Sequence, residues 1–259
     1  MRNLKRSFSL ATLFLFLFSC NGGVVETEQA PSNEAEYQKI DSEALPCSYE
    51  KISLTKRSPQ NINEVTDLIN ELPKPLDLQC FLKSLARPLK VNLTLSSLSA
   101  QPAVGRTSPR VFIFYNQLVL SVAPEGKGAK LLEVSFMYTD STSLKGEYEF
   151  PITDSNISYQ TPFDRIATDP SINSAGTTCQ ACHSGETLDN SISEANAFTS
   201  VAIKPASNMN LSSFKLENTK CELANLKDYR CRLINAIFKD QDVDSVDFPN
   251  GTPEFIDTL

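Results

Sequence analysis

The chain has 259 residues, with 24 basic and 31 acidic side chains and a single histidine, for a net charge of -7. An acidic balance with no basic stripe excludes a protein that tracks nucleic-acid phosphates, so no nucleic acid is expected among the partners. An apolar share of 41% is enough to fill the core of one domain or of two small ones.

At the N-terminus, Arg2, Lys5 and Arg6 precede an apolar run at residues 10–18 that is too short to cross a bilayer comfortably. Residues 1–19 therefore read as a signal peptide, with an uncleaved anchor as the other possibility. The run ends in Leu17-Phe18-Ser19-Cys20. This resembles the lipobox of bacterial lipoproteins, which implies lipidation of Cys20 and a protein lipid-anchored to a membrane of the bacterial cell envelope, at the outer membrane or the periplasmic face. Loss of the leading segment removes three cations and takes the net charge to -10. Residues 20–45 are polar and read as a flexible, lipid-anchored tether.

Residues 46–155 read as a small helical hairpin plus a β-rich module. Ile62, Val65, Ile69 and Leu72 fall at helical spacing and stop at Pro73; Leu78, Phe81, Leu82 and Leu85 repeat the pattern up to Pro88. The period then becomes two. Leu89, Val91, Leu93 and Leu95 alternate with polar residues. Residues 111–115 and 118–120 flank Asn116-Gln117, a tight hairpin turn. Leu132, Val134, Phe136 and Tyr138 alternate again, followed by Leu144, Gly146, Tyr148 and Phe150. The fold class expected is α+β: an antiparallel β-sandwich or small barrel, followed at residues 156–259 by a mostly helical, loop-rich segment. In that segment one helix is predicted through Ile192, Ala195, Phe198, Val201 and Ala202, another over residues 211–226, and a last one capped by Asp228 with Cys231, Ile234 and Phe238 on its apolar face. One fold, with the helices packed on the sheet, is the alternative to two modules.

Residues 179–183 read Cys-Gln-Ala-Cys-His and contain the only histidine, His183. Cys-x-x-Cys-His resembles the attachment signature of c-type cytochromes, and residues 156–259 have the length of a small monohaem cytochrome c-like segment. The resemblance covers these five residues. It implies one covalent haem c, held by thioethers at Cys179 and Cys182, with His183 as the proximal iron ligand. Among the methionines, Met209 follows Pro205 and is the tentative distal ligand; Met137, on the polar side of a strand, is the second candidate. An iron without methionine is the third possibility. The expected function is single-electron transfer with a redox protein partner. The alternatives are a non-redox surface-binding lipoprotein whose pentad is a disulfide loop, and a five-coordinate haem sensor or peroxidase. A zinc site combining Cys179 and Cys182 with Cys221 and Cys231 is a further possibility.

With Cys20 assigned to lipid and two cysteines to haem, Cys47, Cys80, Cys221 and Cys231 remain. In an exported chain this even remainder suggests two disulfides, with Cys47–Cys80 and Cys221–Cys231 favoured among the three possible pairings because each joins near neighbours. An Asp-x-Asp-x-Asp run from Asp240 imitates a calcium loop but has Ser245 where that loop needs glycine and no glutamate at its twelfth position, so a solvated acidic stretch is expected.

Overall fold

The computed structural model describes residues 47–255, apart from residues 98, 169–175, 193–194, 207, 225, 227 and 239–241. The signal segment, Cys20 and the tether lie outside the described residues.

Two short helices open the described chain. Helix α1 spans Ile62–Glu71, and α2 spans Leu78–Ser84. Asn61 caps α1 by accepting from the Glu64 amide at 3.0 Å, while the Glu64 carboxylate reaches back to the Gln60 amide at 2.8 Å. Asp77 caps α2 through the Cys80 amide at 2.6 Å. The apolar stripes predicted for both helices, Ile62, Val65, Ile69, Leu72, Leu78, Phe81, Leu82 and Leu85, are buried. A Cys47–Cys80 disulfide ties the segment that leads into the helices to α2.

Five strands follow: β1 Leu89–Thr94, β2 Arg110–Tyr115, β3 Leu118–Val122, β4 Leu131–Thr139 and β5 Thr142–Glu149. Each pairs antiparallel with the next from β1 to β4 and on to β5. The β2–β3 turn is the predicted two-residue hairpin, with Asn116 at φ 52, a left-handed conformation that asparagine tolerates.

The C-terminal half differs from its expectation. After the one-turn helix α3 (Thr161–Asp164), it adds β6 Thr187–Leu188, β7 Phe198–Val201 and β8 Val243–Ser245 to the same sheet. The order is β6-β7-β5-β4-β3-β2-β1-β8, antiparallel except for the β1–β8 pair. One mostly antiparallel sheet of eight strands thus stands where a sandwich or barrel was expected. The helix predicted through Phe198 and Val201 is instead β7. Phe198, Ser200 and Ala202 are buried in alternation, and Thr199 and Val201 are β-branched, so the segment satisfies a period of two as readily as 3.6 once β5 offers its edge.

Helices α4 (Leu211–Leu223) and α5 (Tyr229–Phe238) are present, stapled by a Cys221–Cys231 disulfide. Asp228 caps α5 through the Cys231 amide at 2.7 Å. They pack with α1, α2 and the inner sheet face into a single cluster that includes Leu93, Leu144, Phe214 and Phe238. The helices therefore serve the core of the whole sheet rather than a separate haem-enclosing body. No described helix is long and apolar enough to cross a membrane.

Candidate functional site

In a strand, successive side chains point to opposite faces. Leu132, Val134, Leu144 and Tyr148 take the inner face and join the core. Arg110, Ser121, Glu133, Ser135, Met137, Ser143, Lys145 and Glu147 therefore share the outer face. The registers align them: Ser121 sits opposite Glu133, Glu133 opposite Glu147, Ser135 opposite Lys145, and Ser143 opposite Ser200 of β7. One end of this face is apolar, with Phe112, Phe114 and Val119 packed on Met137, Val246 and Phe248. The rest carries charges, and the Cys-x-x-Cys-His loop lies against it.

The loop is closed by its own residues. A 3-10 turn over Thr178–Ala181 carries the first three positions of the motif, and the Cys182 and His183 amides both donate to the Cys179 carbonyl, at 3.0 and 2.9 Å. Cys179 and His183 are thereby held one turn apart. Thr177 caps the turn, its hydroxyl accepting from the Cys179 amide at 3.1 Å. Glu186 grips Thr177 twice: one carboxylate oxygen accepts from the Thr177 amide at 2.8 Å, the other from its hydroxyl. A Cβ on Gly176 would lie 2.8 Å from that carboxylate, and Gly185 turns the chain back at φ 71. At the base of the loop, Thr178 donates to the Ile166 carbonyl at 2.8 Å.

His183 is fixed by strand β7. Its Nδ1 lies 2.8 Å from the Val201 carbonyl oxygen. A carbonyl only accepts, so Nδ1 carries the hydrogen and Nε2 keeps its lone pair. Burial, together with the nearby cations Lys145 and Arg110, pushes the ring's pKa down to about 3, the Val201 carbonyl offsetting part of this. The imidazole is therefore neutral across the physiological range. This is the state a metal-binding histidine needs, with the tautomer set by a backbone acceptor.

Beneath the loop, Lys145 donates to Ser143 Oγ at 2.8 Å, Ser200 Oγ at 2.7 Å and the same Val201 carbonyl at 3.3 Å. Burial lowers its pKa to about 8, with Cys179, Glu186 and Glu133 acting in the opposite sense. Burial and then Glu133 push the Cys179 thiol up to about 11, so at neutral pH it is protonated. Glu147 is raised to about 7 by burial and by Glu133 across the register, although Arg165 pairs with it at 2.9 Å. Arg110 pairs with Glu133 and reaches Ser121 Oγ at 2.9 Å.

No protein-family model, curated protein or solved structure matches this chain. The chemistry of the loop is therefore the guide to what it does.

The structure keeps Cys179 and His183 together and places Cys182 beside them. Cys179 is a free thiol, so the two motif cysteines are not bonded to each other. Cys182 is itself engaged in a disulfide. The Cys221–Cys231 bridge removes that pair from any zinc site, and no group of three or more metal-binding side chains occurs among the described residues. Asp244 of the acidic run lies in β8 beside Lys90 rather than in an ion-binding loop.

Met209 is not brought to His183. Its amide donates to the Leu93 carbonyl of β1 at 2.8 Å, and its side chain is buried in the inner-face cluster. His183 hangs from β7, five strand positions away, or roughly 24 Å across the sheet at the usual strand spacing. It also faces the outer side. Met137 is the methionine that shares the face of the loop.

For a haem, the donor set fits in part: a neutral imidazole whose Nδ1 is fixed and the free Cys179 thiol one turn earlier match the attachment chemistry, while the Cys182 sulfur is held in a disulfide that would have to be reduced. Sequence reading missed Lys145, Glu186, Thr177 and the Val201 carbonyl. In a period-two pattern, Lys145 and Glu147 read as solvent-facing, and nothing local announces that a loop 30 residues later will cover them.

Proposed function

We propose that the chain is a lipid-anchored monohaem c-type protein of the bacterial cell envelope that transfers single electrons. Cys179 and Cys182 would hold the haem through thioethers and His183 would bind its iron. The single observation that carries the reading is the fixed neutral tautomer of His183, set by the Val201 carbonyl one turn after the Cys179 thiol. Bound there, the haem would supply one-electron exchange between ferric and ferrous iron. The chain's part is to hold the imidazole, close the loop through Glu186 and Thr177, and fix the charges behind the ring. Attachment needs Cys182 as a thiol, so its thioether and its disulfide are alternative fates of the same sulfur, and haem would be loaded on the reduced chain. The lipid at Cys20 and the tether that follows would keep the domain at the membrane, within reach of a redox protein partner.

A second reading is favoured by the position of Met209. With that methionine in the inner core, an iron on His183 is left without its tentative sixth ligand, which suits a five-coordinate haem sensor or peroxidase. Expression in a host competent for cytochrome c maturation separates the cases. Haem that stays with the chain on a denaturing gel supports attachment, and its absence removes both readings. A far-red methionine-to-iron charge-transfer band in the oxidised spectrum then marks the electron carrier, and a high-spin spectrum lacking that band marks the sensor or peroxidase.

A further inference from the structure

Lys145 is an unusual residue to find behind a candidate iron ligand. It projects from the outer face of β5, and its ammonium lies under the motif loop. Among the described residues it donates to neutral groups, the Ser143 and Ser200 hydroxyls and the Val201 carbonyl. The neighbouring carboxylates have partners of their own. Glu133 pairs with Arg110, Glu147 with Arg165, and Glu186 holds Thr177. Among the described residues, no contact ion pair cancels the positive charge.

The Val201 carbonyl links this cation to the histidine. It accepts from His183 Nδ1 at 2.8 Å and from Lys145 Nζ at 3.3 Å. A carbonyl acting alone on Nδ1–H pulls the proton away from the ring and makes the imidazole a stronger electron donor. A second, charged donor on the same oxygen weakens that pull. The ammonium also adds its own field in a setting partly shielded from water, where Coulomb interactions are stronger than at an open surface.

We propose that Lys145 is a tuning residue for the haem site: a cation held behind His183 that shares its carbonyl and raises the affinity of the bound haem for an electron. This rests on the haem reading above. A haem held there would lose one unit of positive charge on accepting an electron from the redox protein partner. Lys145 disfavours the more positive state and so shifts the couple toward reduction. Lys145 does not touch the iron; it acts through the Val201 carbonyl and through space.

The test uses the full chain loaded with haem in a maturation-competent host, as wild type, Lys145→Gln and Lys145→Arg, titrated with redox dyes. At a fixed poise, the ratio of reduced to oxidised haem is expected to fall about tenfold or more in Lys145→Gln, equivalent to about 59 mV for one electron. It is expected to stay within about twofold in Lys145→Arg, which keeps the charge. A merely structural role would lower haem yield or thermal stability without this dependence on charge. An unchanged ratio in Lys145→Gln overturns the proposal and leaves haem attachment standing. A wild type without covalent haem overturns the underlying reading and the proposal with it. If Lys145→Gln does not mature, Ser143→Asp neutralises the ammonium in place: the same fall supports the proposal, and no fall overturns it.

Discussion

Replacing Met209 separates a core residue from an iron ligand. Its side chain is 9% exposed within the inner cluster, and its backbone is pinned to Leu93 whatever the side chain. Met209→Leu nearly conserves volume and should cost less than about 1.5 kcal/mol. Met209→Ala removes three heavy atoms, worth about 2.4 kcal/mol at about 0.8 per buried methylene, and leaves a cavity, for a total of about 3–4 kcal/mol. In a fold of this size each kcal/mol moves the melting temperature by about 2–4 °C. Thermal melts followed by circular dichroism should therefore fall by less than about 6 °C for Met209→Leu and by about 6–16 °C for Met209→Ala. In haem-loaded protein, the visible spectrum of Met209→Leu should match that of the wild type. A changed iron coordination in Met209→Leu, with stability intact, would refute the placement of Met209 on the inner face and return it to the iron.

Three further outcomes follow from the same geometry. Glu186→Gln weakens the clamp on Thr177, so hydrogen-exchange protection of the Cys179 amide should drop about tenfold or more while the global melt moves by less than about 1 kcal/mol; unchanged protection would mean the clamp does not hold the loop. Opening the 10-residue Cys221–Cys231 loop by Cys221→Ser with Cys231→Ser should cost about 2.7 kcal/mol, and opening the 33-residue Cys47–Cys80 loop in the same way about 3.7 kcal/mol; the reverse order in denaturant melts would contradict this. Glu147 has a folded-state pKa raised from 4.5 to about 7, so its contribution to stability is fully present below pH 4.5 and is lost as pH rises to about 7. Relative to Glu147→Gln, the wild type should lose up to about 3 kcal/mol between pH 4.5 and 7.5, and a flat difference across that range would show the shift to be absent.

The sequence makes some parts of this fold legible and hides others for physical reasons. Helices α1 and α2 announce themselves because apolar spacing, capping residues and terminal prolines agree. Strands β1–β5 do so because their inner faces alternate cleanly, and both disulfides join partners near in sequence. Strand β7 is hidden because Phe198 and Val201 satisfy helical spacing as well, and only the waiting edge of β5 decides between the two. Strand β8 is hidden by Asp244 and the preceding Asp242, which suggest solvent rather than a pair with β1. At the site, the pentad is legible because its chemistry is local. The Val201 carbonyl and Lys145 are not, since they reach His183 only through the pairing of β5 with β7. Met209 is the opposite case: a loop position after a proline is a sequence feature, while its place five strands from His183 follows from topology.

The central claim is that residues 179–183 hold a covalent haem through His183 and the two cysteines. The most direct measurement is the mass and haem stain of the full chain after denaturation, produced in a maturation-competent host, as wild type and as Cys179→Ala with Cys182→Ala. A mass increase of one haem and a stained band are expected in the wild type, and neither in the double variant. A wild type of unmodified mass with no stained band would contradict it.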